Sequence, residues 1–441
     1  MIRFLQISDI HFTDTAGNDD DYRQMKCKFL EDIAERHREM GKFDYILICG
    51  DIAFSGLENQ YKEAREFIGK ICERTECDKS QVLVVPGNHD KKWDVYGKTR
   101  QMMRDSLLKG KSTKVLLESK VKEPMMVGIL YAPFRQYSLF AAEFPCISDV
   151  ALKASAFPEA DQKMEKMPKF APDDAMYWTE QLSDMNGYKV YMHGSNSSLL
   201  SDKDDGESWI INEGRHLQVL PLQAYNITAG NDEIHILMQH HPMSEIIDGK
   251  KIEKDIDGRF NLQLYGHVHK QSSSSDGVIK IYSGAFQPPE EENDDYFPVY
   301  NVIEMDVVAI SNEPYLRVEV YSRKWNSAKF EEYSEETKTK EKALTVSLPH
   351  HDTWVKIVKE MNEGKEYTKE NDTTTKDMVA PHVVKHDFLN SKKEPKIIKE
   401  MYGTKFDTIS PNRIKYLTFL RQVEADNRIN ELKDILKKYG K

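Results

Sequence analysis

Five short clusters of aspartate, asparagine and histidine occur along the chain, each directly after a short apolar run. In chain order they are Asp9-Ile10-His11, Gly50-Asp51, Gly87-Asn88-His89-Asp90, His240-His241-Pro242 and Gly266-His267-Val268-His269. Because apolar runs of this length predict strands, each cluster is expected at the carboxyl end of a strand. In open α/β sheets ligands bind at that edge, so the five clusters are expected to converge on one site.

These side chains predict a metal centre. Carboxylate, imidazole and amide ligands suit divalent ions such as Mn, Fe or Zn, and no cysteine lies in the clusters. Two ions about 3.5 to 4 Å apart need one carboxylate that bridges them. Asp51 is the natural bridge, because it is a lone acid between the outer clusters. The D-x-H and G-H-x-H spacings each let a tight loop aim two ligands at the same centre.

Alternating strand and helix patterns can position the clusters. Apolar runs at 2–7, 43–49 and 82–85 predict strands, and helical spacing of apolar residues predicts helices over 22–40 and around 61–71. This alternation predicts right-handed crossovers and a mostly parallel sheet buried on both faces. Further strands are predicted at 188–192, 234–239, 261–265, 278–282, 300–308 and 316–321.

The patterns divide the chain into a main domain at 1–340 and an appendage at 341–441. Within the main domain, residues 91–187 lose the strand alternation and predict an inserted, mainly helical cap. The aromatic segment 131–140 of this cap either packs over the sheet or forms a wall of the substrate pocket. The appendage is charged and mainly helical, with apolar faces around Trp354 and from Ile414 to Leu436 that need burial.

Composition and net charge limit the classes of protein to which this chain can belong. The chain has 441 residues, of which 39% are hydrophobic, so it can bury a full-sized core. The net charge is −11, made up of −15 over the first 350 residues and +4 over the remainder. The acidic body argues against tight, nonspecific binding of duplex nucleic acid, which depends on neutralising phosphates.

Cysteine usage and hydropathy predict a cytoplasmic location. The five cysteines show no C-x-x-C spacing, which fits neither a disulfide framework nor a zinc knuckle. No apolar run approaches the roughly 20 residues that cross a bilayer, and the opening residues do not resemble a secretion signal. We therefore expect no membrane partner.

The order D-x-H, G-D, G-N-H-D, H-H-P and G-H-x-H resembles the calcineurin-like metallophosphoesterase superfamily. The similarity covers roughly residues 1–325 and includes the segments 196–201 and 239–242, which look like those of a bacterial subgroup. It implies an α/β fold, a four-layer α/β/β/α sandwich, here with the inserted cap and the C-terminal appendage.

The resemblance also implies two divalent ions, Mn or Fe, with Zn, Mg or Ni as alternatives. The first ion would be held by Asp9, His11, Asp51 and His269, and the second by Asp51, Asn88, His240 and His267. His89 would contact the phosphoryl oxygen and assist the leaving group, with Asp90 orienting it. The strand at 234–239 delivers His240 first, which favours it as the ligand over His241, and His241 would then lie beside the ligands or face the substrate.

The implied activity is hydrolysis of phosphoesters, and we expect a phosphodiesterase or nuclease acting on nucleotides or nucleic acid. A phosphomonoesterase or protein phosphatase is the alternative, because the motifs are common to all these enzymes. A different class of function is an effector or scaffold subunit whose residues 341–441 dock a protein partner or a second copy of the chain.

Overall fold

The computed structural model describes most of the main domain and parts of the C-terminal region. The described residues are 1–13, 22–108, 124–147, 149–156, 177–201, 227–287, 297–333, 343–362, 393–403, 419, 423, 426 and 428–439. Within these ranges no helix combines the length and the apolar character needed to cross a membrane.

The first sheet has seven strands in the order β12-β11-β10-β1-β2-β3, with β13 also paired to β11. Strands β1, β2 and β3 are parallel, and β10 joins β1 in antiparallel register. The strand bounds are β1 Ile2–Ile7, β2 Tyr45–Cys49, β3 Val82–Val85, β10 Val299–Ile310, β11 Glu313–Trp325, β12 Phe330–Glu332 and β13 Ala343–Ser347.

The second sheet has six strands in the order β4-β5-β6-β7-β9-β8. Strands β5, β6, β7 and β9 are parallel, while β4 and β8 are antiparallel at the two edges. The strand bounds are β4 Tyr177–Gln181, β5 Lys189–Ser195, β6 Glu233–Gln239, β7 Leu262–Tyr265, β8 Gln271–Ser275 and β9 Ile279–Ser283.

Ten α-helices are defined among the described residues. They are α1 Arg23–Met40, α2 Glu58–Thr75, α3 Gly97–Leu108, α4 Pro124–Tyr131, α5 Arg135–Ala141, α6 Asp149–Ser155, α7 Gly249–Asp257, α8 Asp352–Asn362, α9 Glu394–Tyr402 and α10 Ile429–Lys438.

The helices and sheets form the α/β/β/α sandwich implied by the sequence. One apolar cluster joins both sheets with α1 and α2, where for instance the rings of Phe29 and Tyr300 meet at 4.9 Å. On the second sheet, Leu237 and Tyr265 pack with Ile256 of α7 in a separate cluster. Both sheets are thus covered, and their shared core fixes the relative position of the strand ends.

The described part of the cap region is helical, as predicted, but it also contributes the strand β4 that sequence patterns did not indicate. The aromatic segment 131–140 packs into the main core, with Tyr131 and Phe134 each 1% exposed. Sγ of Cys146 accepts a hydrogen bond of 3.3 Å from the amide of Val84 in the edge strand β3. Of the two alternatives for this segment, packing over the sheet therefore fits the structure better than a wall of the substrate pocket.

Residues 343–357 belong to the main core rather than to a separate appendage. Strand β13 pairs with β11, and Trp354 and Ile357 of α8 are buried in the same cluster as both sheets. Tyr188 anchors this segment by donating a hydrogen bond to the carbonyl of Pro349 at 2.6 Å. The structure thus carries the main domain past the boundary that we predicted at residue 340.

Further along the chain, α9 and α10 form a small apolar cluster of their own. It contains Ile397, Ile398, Met401, Phe419, Val423, Leu432 and Leu436. Burial of Leu432 and Leu436 agrees with the amphipathic face predicted for this region. The beginning of this predicted apolar face, at Ile414, lies outside the described residues.

Removal of the Trp354 side chain should destabilise the whole main domain. Trp354→Ala empties a fully buried site and should lower the free energy of unfolding by about 3 to 5 kcal/mol. Its neighbour Val355 is 57% exposed, so Val355→Ala should change that free energy by less than about 0.5 kcal/mol. Urea titrations of both variants test this, and equal small effects would show that the domain ends before residue 343.

Candidate metal centre

All five polar clusters lie at the carboxyl ends of parallel strands. β1, β2 and β3 of the first sheet end before Asp9, Asp51 and Asn88, and β6 and β7 of the second end before His240 and His267. The two sheets meet here, because the Phe286 and Gln287 amides donate to the carbonyls of Ser8 and Asp9. The convergence predicted from the sequence is observed.

The loops carrying these clusters adopt an unusual backbone conformation. Asp9, His11, Asp51, His267 and His269 all have φ between 50° and 67°, a region that residues with a side chain rarely adopt. Each such residue costs of order 1 kcal/mol, so the surrounding structure must impose the conformation. Hydrogen bonds do so for the first loop, where the Asp9 amide donates to the Gly50 carbonyl at 3.0 Å and the His11 amide to that of Asp51 at 3.0 Å.

Glycines at three of the clusters allow close approach of the loops. A Cβ atom at Gly50 would lie 2.6 Å from Nδ1 of His240, and one at Gly87 would lie 2.5 Å from the amide nitrogen of Asp51. At Gly266 it would lie 2.5 Å from the Cys49 carbonyl oxygen. A larger residue at any of these positions would push the polar side chains apart.

One group of side chains gathers around Asp9. Asp9, His11 and His269 present ligand atoms that all lie within 4.8 Å of one another. Nε2 of His269 is 3.3 Å from Oδ1 of Asp9, and Nε2 of His11 is 4.0 Å from Oδ2 of Asp51. This group contains three of the four residues of the first predicted ligand set, and Asp51 lies next to it.

A second group gathers around His240. Its Nδ1 donates to the Cys49 carbonyl at 2.8 Å, which directs Nε2 at Oδ2 of Asp51 (3.3 Å) and at Oδ1 of Asn88 (3.2 Å). Two oxygens and a ring nitrogen with their lone pairs aimed at one point repel each other unless a proton or a cation lies between them. The ring of His267 lies 5.1 Å from that of His240.

His241 lies beside this second group. Its ring is 4.4 Å from that of His267, and its Nδ1 is 2.8 Å from the hydroxyl of Ser197. Nε2 of His241 is buried and finds no hydrogen-bond partner among the described residues. His240 faces both Asp51 and Asn88, while His241 offers a ligand atom within 4.8 Å of those of His240 and His267.

His89 and Asp90 have different hydrogen-bond partners, although they are adjacent in the chain. Nδ1 of His89 lies 2.9 Å from the carbonyl oxygen of Phe54, which can only accept, so the proton is on Nδ1 and Nε2 is left available. The His89 amide donates to Oδ1 of Asp51 at 2.8 Å, and its ring lies 4.7 Å from that of His11. His89 therefore borders the ligand groups.

The expectation that Asp90 orients the His89 ring is wrong. Its carboxylate accepts the amides of Gly87 at 2.9 Å and Ala53 at 2.9 Å, and the hydroxyl of Tyr61 at 2.8 Å. Asp90 thus holds the loop after β2, and the Phe54 carbonyl in that loop is what orients His89. Burial and the charge of Asp51 raise the pKa of Asp90 to about 6.

The charge states of the buried groups, apart from that of His240, suit metal ligation. Although burial opposes it, the charge of Asp51 raises the pKa of His240 to about 9, so near pH 7 this ring holds a proton that a bound cation would replace. Burial lowers the pKa of His11 to about 4 and that of His267 to about 3, so both rings are neutral near pH 7. Burial opposes ionisation of Asp9, but His269 and His240 outweigh it and hold its pKa at about 2. Likewise, His240 holds the pKa of Asp51 well below the usual range despite burial. Neutral imidazoles and ionised carboxylates are the forms that bind metals.

These residues fit a pair of divalent cations. Both ring nitrogens of His11 are buried without a hydrogen-bond partner in the described part of the chain, and so is Nε2 of His241. Buried polar atoms are normally satisfied, and a neutral imidazole has one acceptor nitrogen, so the unpartnered Nε2 of His11 near the Asp51 carboxylate indicates a position for a cation. Asp51 touches both groups, as the bridging role requires.

Sequence reasoning missed three residues that hold the site. Tyr61 was predicted only as part of an apolar helix face, and its hydroxyl gave no signal of a role at Asp90. The main-chain carbonyls of Cys49 and Phe54, which orient His240 and His89, leave no mark in a sequence because every residue has a carbonyl.

Comparison with known families agrees with this arrangement. The sequence profile of the calcineurin-like phosphoesterases matches residues 2–271, which is more than half of the chain. The chain belongs to the calcineurin-like phosphoesterase family. Membership extends over every cluster described above, and it confirms the resemblance seen in the motifs.

Among curated proteins, the chain is similar to the uncharacterized metallophosphoesterase-like protein YydB of Bacillus subtilis (strain 168). The two are 26% identical over 307 residues, which cover 68% of this chain and 56% of that protein. The chain thus matches little more than half the length of this relative.

Two solved structures are more distant. A dimetal phosphatase from Danio rerio is 11% identical, with a TM-score of 0.36 over 79% of this chain and 99% of its own. The purple acid phosphatase PPD1 of yellow lupin (Lupinus luteus) is 12% identical, with a TM-score of 0.35 over 80% of this chain and 55% of its own. At these scores neither likeness carries an argument about the site.

A methyl group added at Gly87 should disrupt the centre. Gly87→Ala places a carbon against the Asp51 carboxylate and amide, and should cost about 1 to 3 kcal/mol of stability and weaken Mn²⁺ binding. Gly69 in α2 is the matched control, because nothing lies within 4 Å of its Cβ position. Gly69→Ala should leave Mn²⁺ binding intact and stabilise the protein by up to about 1 kcal/mol. Unchanged calorimetric Mn²⁺ binding in Gly87→Ala would contradict the described packing.

Proposed function

We propose that this chain is a dinuclear-metal-dependent phosphoester hydrolase, and that its substrates are phosphodiesters of the nucleotide or nucleic acid class. The observation that carries this proposal is the pair of ligand groups that share Asp51. Asp9, His11 and His269 form one group, and His240 with Asn88 and His267 forms the other, while Nε2 of His11 and Nε2 of His240 both approach Oδ2 of Asp51. Family membership supports the same reaction class.

Two divalent ions held by these residues would supply an activated water molecule and neutralise the phosphoryl oxygens. Mn or Fe suits the set of carboxylate, imidazole and amide ligands, which contains no sulfur. The protein's own contribution is to hold Asp51 ionised and the imidazoles of His11 and His267 neutral, as their shifted pKa values favour.

His89 is the group we assign to proton transfer. With Nδ1 donating to the Phe54 carbonyl, its Nε2 is the atom that can carry a proton toward a leaving oxygen. The Asp51 carboxylate accepts the His89 amide, which ties the position of this residue to the bridging ligand. Asp90 acts through the loop that contains Phe54, so we assign it a positioning role.

Loss of the bridging carboxylate should remove more metal than loss of a terminal ligand. Asp51→Asn weakens a ligand common to both ions, so we expect a purified protein with little bound metal and no measurable turnover. His269→Ala removes one terminal ligand and should retain about one ion per chain, since the second group is untouched. Elemental analysis after Mn²⁺ loading tests this. Two ions and a near-normal rate in Asp51→Asn would contradict the bridging assignment.

His89→Ala should slow catalysis without removing metal. Loss of one proton-transfer group lowers kcat by about 10² to 10⁴, and less for substrates whose leaving group needs no proton. We expect a larger loss with a dinucleotide than with bis(p-nitrophenyl) phosphate. Exposed His350 lies outside the described site, so His350→Ala is the matched control. A coincident loss of metal would instead make His89 a ligand, and equal losses for both substrates would remove its role in proton transfer.

The substrate class is testable with a panel of esters. Hydrolysis of bis(p-nitrophenyl) phosphate, cyclic nucleotides and single-stranded nucleic acid should exceed that of p-nitrophenyl phosphate with Mn²⁺ present. Chelation should abolish turnover, and added Mn²⁺ should restore it. A preference for the monoester would favour a phosphomonoesterase.

A further inference from the structure

Phe54 is an exposed aromatic residue at the edge of the candidate metal centre. Its side chain is 48% exposed, whereas Asp9, Asp51 and His240 beside it are 1% exposed or less. The other large apolar side chains exposed to this degree within the described ranges are Met1, Met102, Ile310 and Val355. Phe54 is thus the one aromatic ring in that set.

Phe54 and Trp93 both pack against the imidazole of His89. The ring of Phe54 lies 5.4 Å from that of His89 and 6.1 Å from that of His11. The Trp93 ring lies 5.1 Å from His89. The two aromatic side chains therefore border the group that we assign to proton transfer.

The backbone holds both rings in place before any ligand binds. The Phe54 amide donates to the Phe12 carbonyl at 3.0 Å, and its own carbonyl accepts from His89. The Trp93 indole donates to the Asn88 carbonyl at 3.1 Å. Ligand contacts on such preorganised rings cost little conformational entropy, which favours binding.

We propose that the exposed ring of Phe54, with Trp93 bordering it at His89, is an aromatic subsite on which the nucleobase of a nucleoside phosphoester stacks while its phosphoryl group lies at the metal centre. This inference rests on the proposed function and narrows its substrate class. Aromatic side chains bind nucleobases by stacking on their π-faces, whichever base is present.

The change in burial across the site favours a nucleobase over a ring bonded directly to the phosphate. The candidate ligands are buried and Phe54 is half exposed, so its ring meets the part of the substrate that lies nearer the solvent. In a nucleotide the sugar separates the base from the phosphoryl group, which lets the base reach that outer position. The acidic body, with a net charge of −15 over the first 350 residues, favours a small nucleotide or a single strand over duplex nucleic acid.

Binding of non-hydrolysable phosphonates to the Mn²⁺-loaded full-length protein tests the subsite without turnover. The probes are the 5′-methylene phosphonate analogues of AMP and of ribose 5-phosphate, which differ only by the base. We expect calorimetry to show about 5- to 150-fold tighter binding of the adenosine analogue, the range for stacking of one base. Phe54→Leu keeps the carbonyl that holds His89 but removes the ring, and should abolish this preference.

Control variants separate ring stacking from general effects. Phe54→Tyr retains an aromatic ring and should retain the preference for the adenosine analogue. Ile310→Ala removes an exposed apolar side chain elsewhere and should also retain it. The affinity for the ribose analogue should be similar in all four proteins, because that probe does not reach the aromatic rings.

Three outcomes would overturn the proposal. Equal affinity of the wild-type protein for the two analogues would remove the subsite, and so would a preference that survives in Phe54→Leu. A Phe54-dependent gain for phenylphosphonate but none for the adenosine analogue would replace the nucleobase by an aryl ester. If inorganic phosphate and both analogues all fail to bind the loaded protein, the proposed function fails together with the subsite.

Discussion

The buried carboxylate of Asp51 is the feature on which the rest of the site depends. It is 1% exposed, and an isolated charge at such a position is strongly destabilising unless other groups compensate it. The His89 amide, His240 and His11 surround it from three different loops. The proton that His240 holds supplies a compensating charge, whereas neutral His11 contributes only a lone pair. Divalent cations would take the place of that proton, which explains why two ligand groups gather around one carboxylate.

The fold meets this requirement by holding strained loops at the junction of two sheets. Left-handed backbone at Asp9 and Asp51 turns their side chains inward immediately after the strands end. Gly87 and Gly266 let the neighbouring loops approach closely enough for the ligands to converge. Hydrogen bonds between loops impose this conformation, as between the Asp9 amide and the Gly50 carbonyl. The apolar core that joins both sheets, and that includes Trp354, fixes the strands from which these loops extend.

The sequence predicted the parallel strands and the convergence of their polar ends, because apolar runs such as 82–85 are strong local signals. It did not predict β8 or β13. The serine-rich strand β8 has four exposed residues, and the apolar alternation of β13 is limited to Leu344 and Val346, which is too short to separate it from a loop. Both are edge strands whose pairing is decided by the neighbouring strand rather than by their own composition. The orientation of His89 was missed for a similar reason, since its partner is a backbone carbonyl and Asp90 has donors from another loop.

Anomalous diffraction from crystals loaded with Mn²⁺ is the direct test of whether the Asp51 carboxylate bridges two metal ions. We expect two anomalous peaks about 3.5 to 4 Å apart, each in contact with the Asp51 carboxylate. Asp9, His11 and His269 should surround one peak, and Asn88, His240 and His267 the other. A single peak, or two peaks of which only one contacts Asp51, would contradict a centre bridged by this residue.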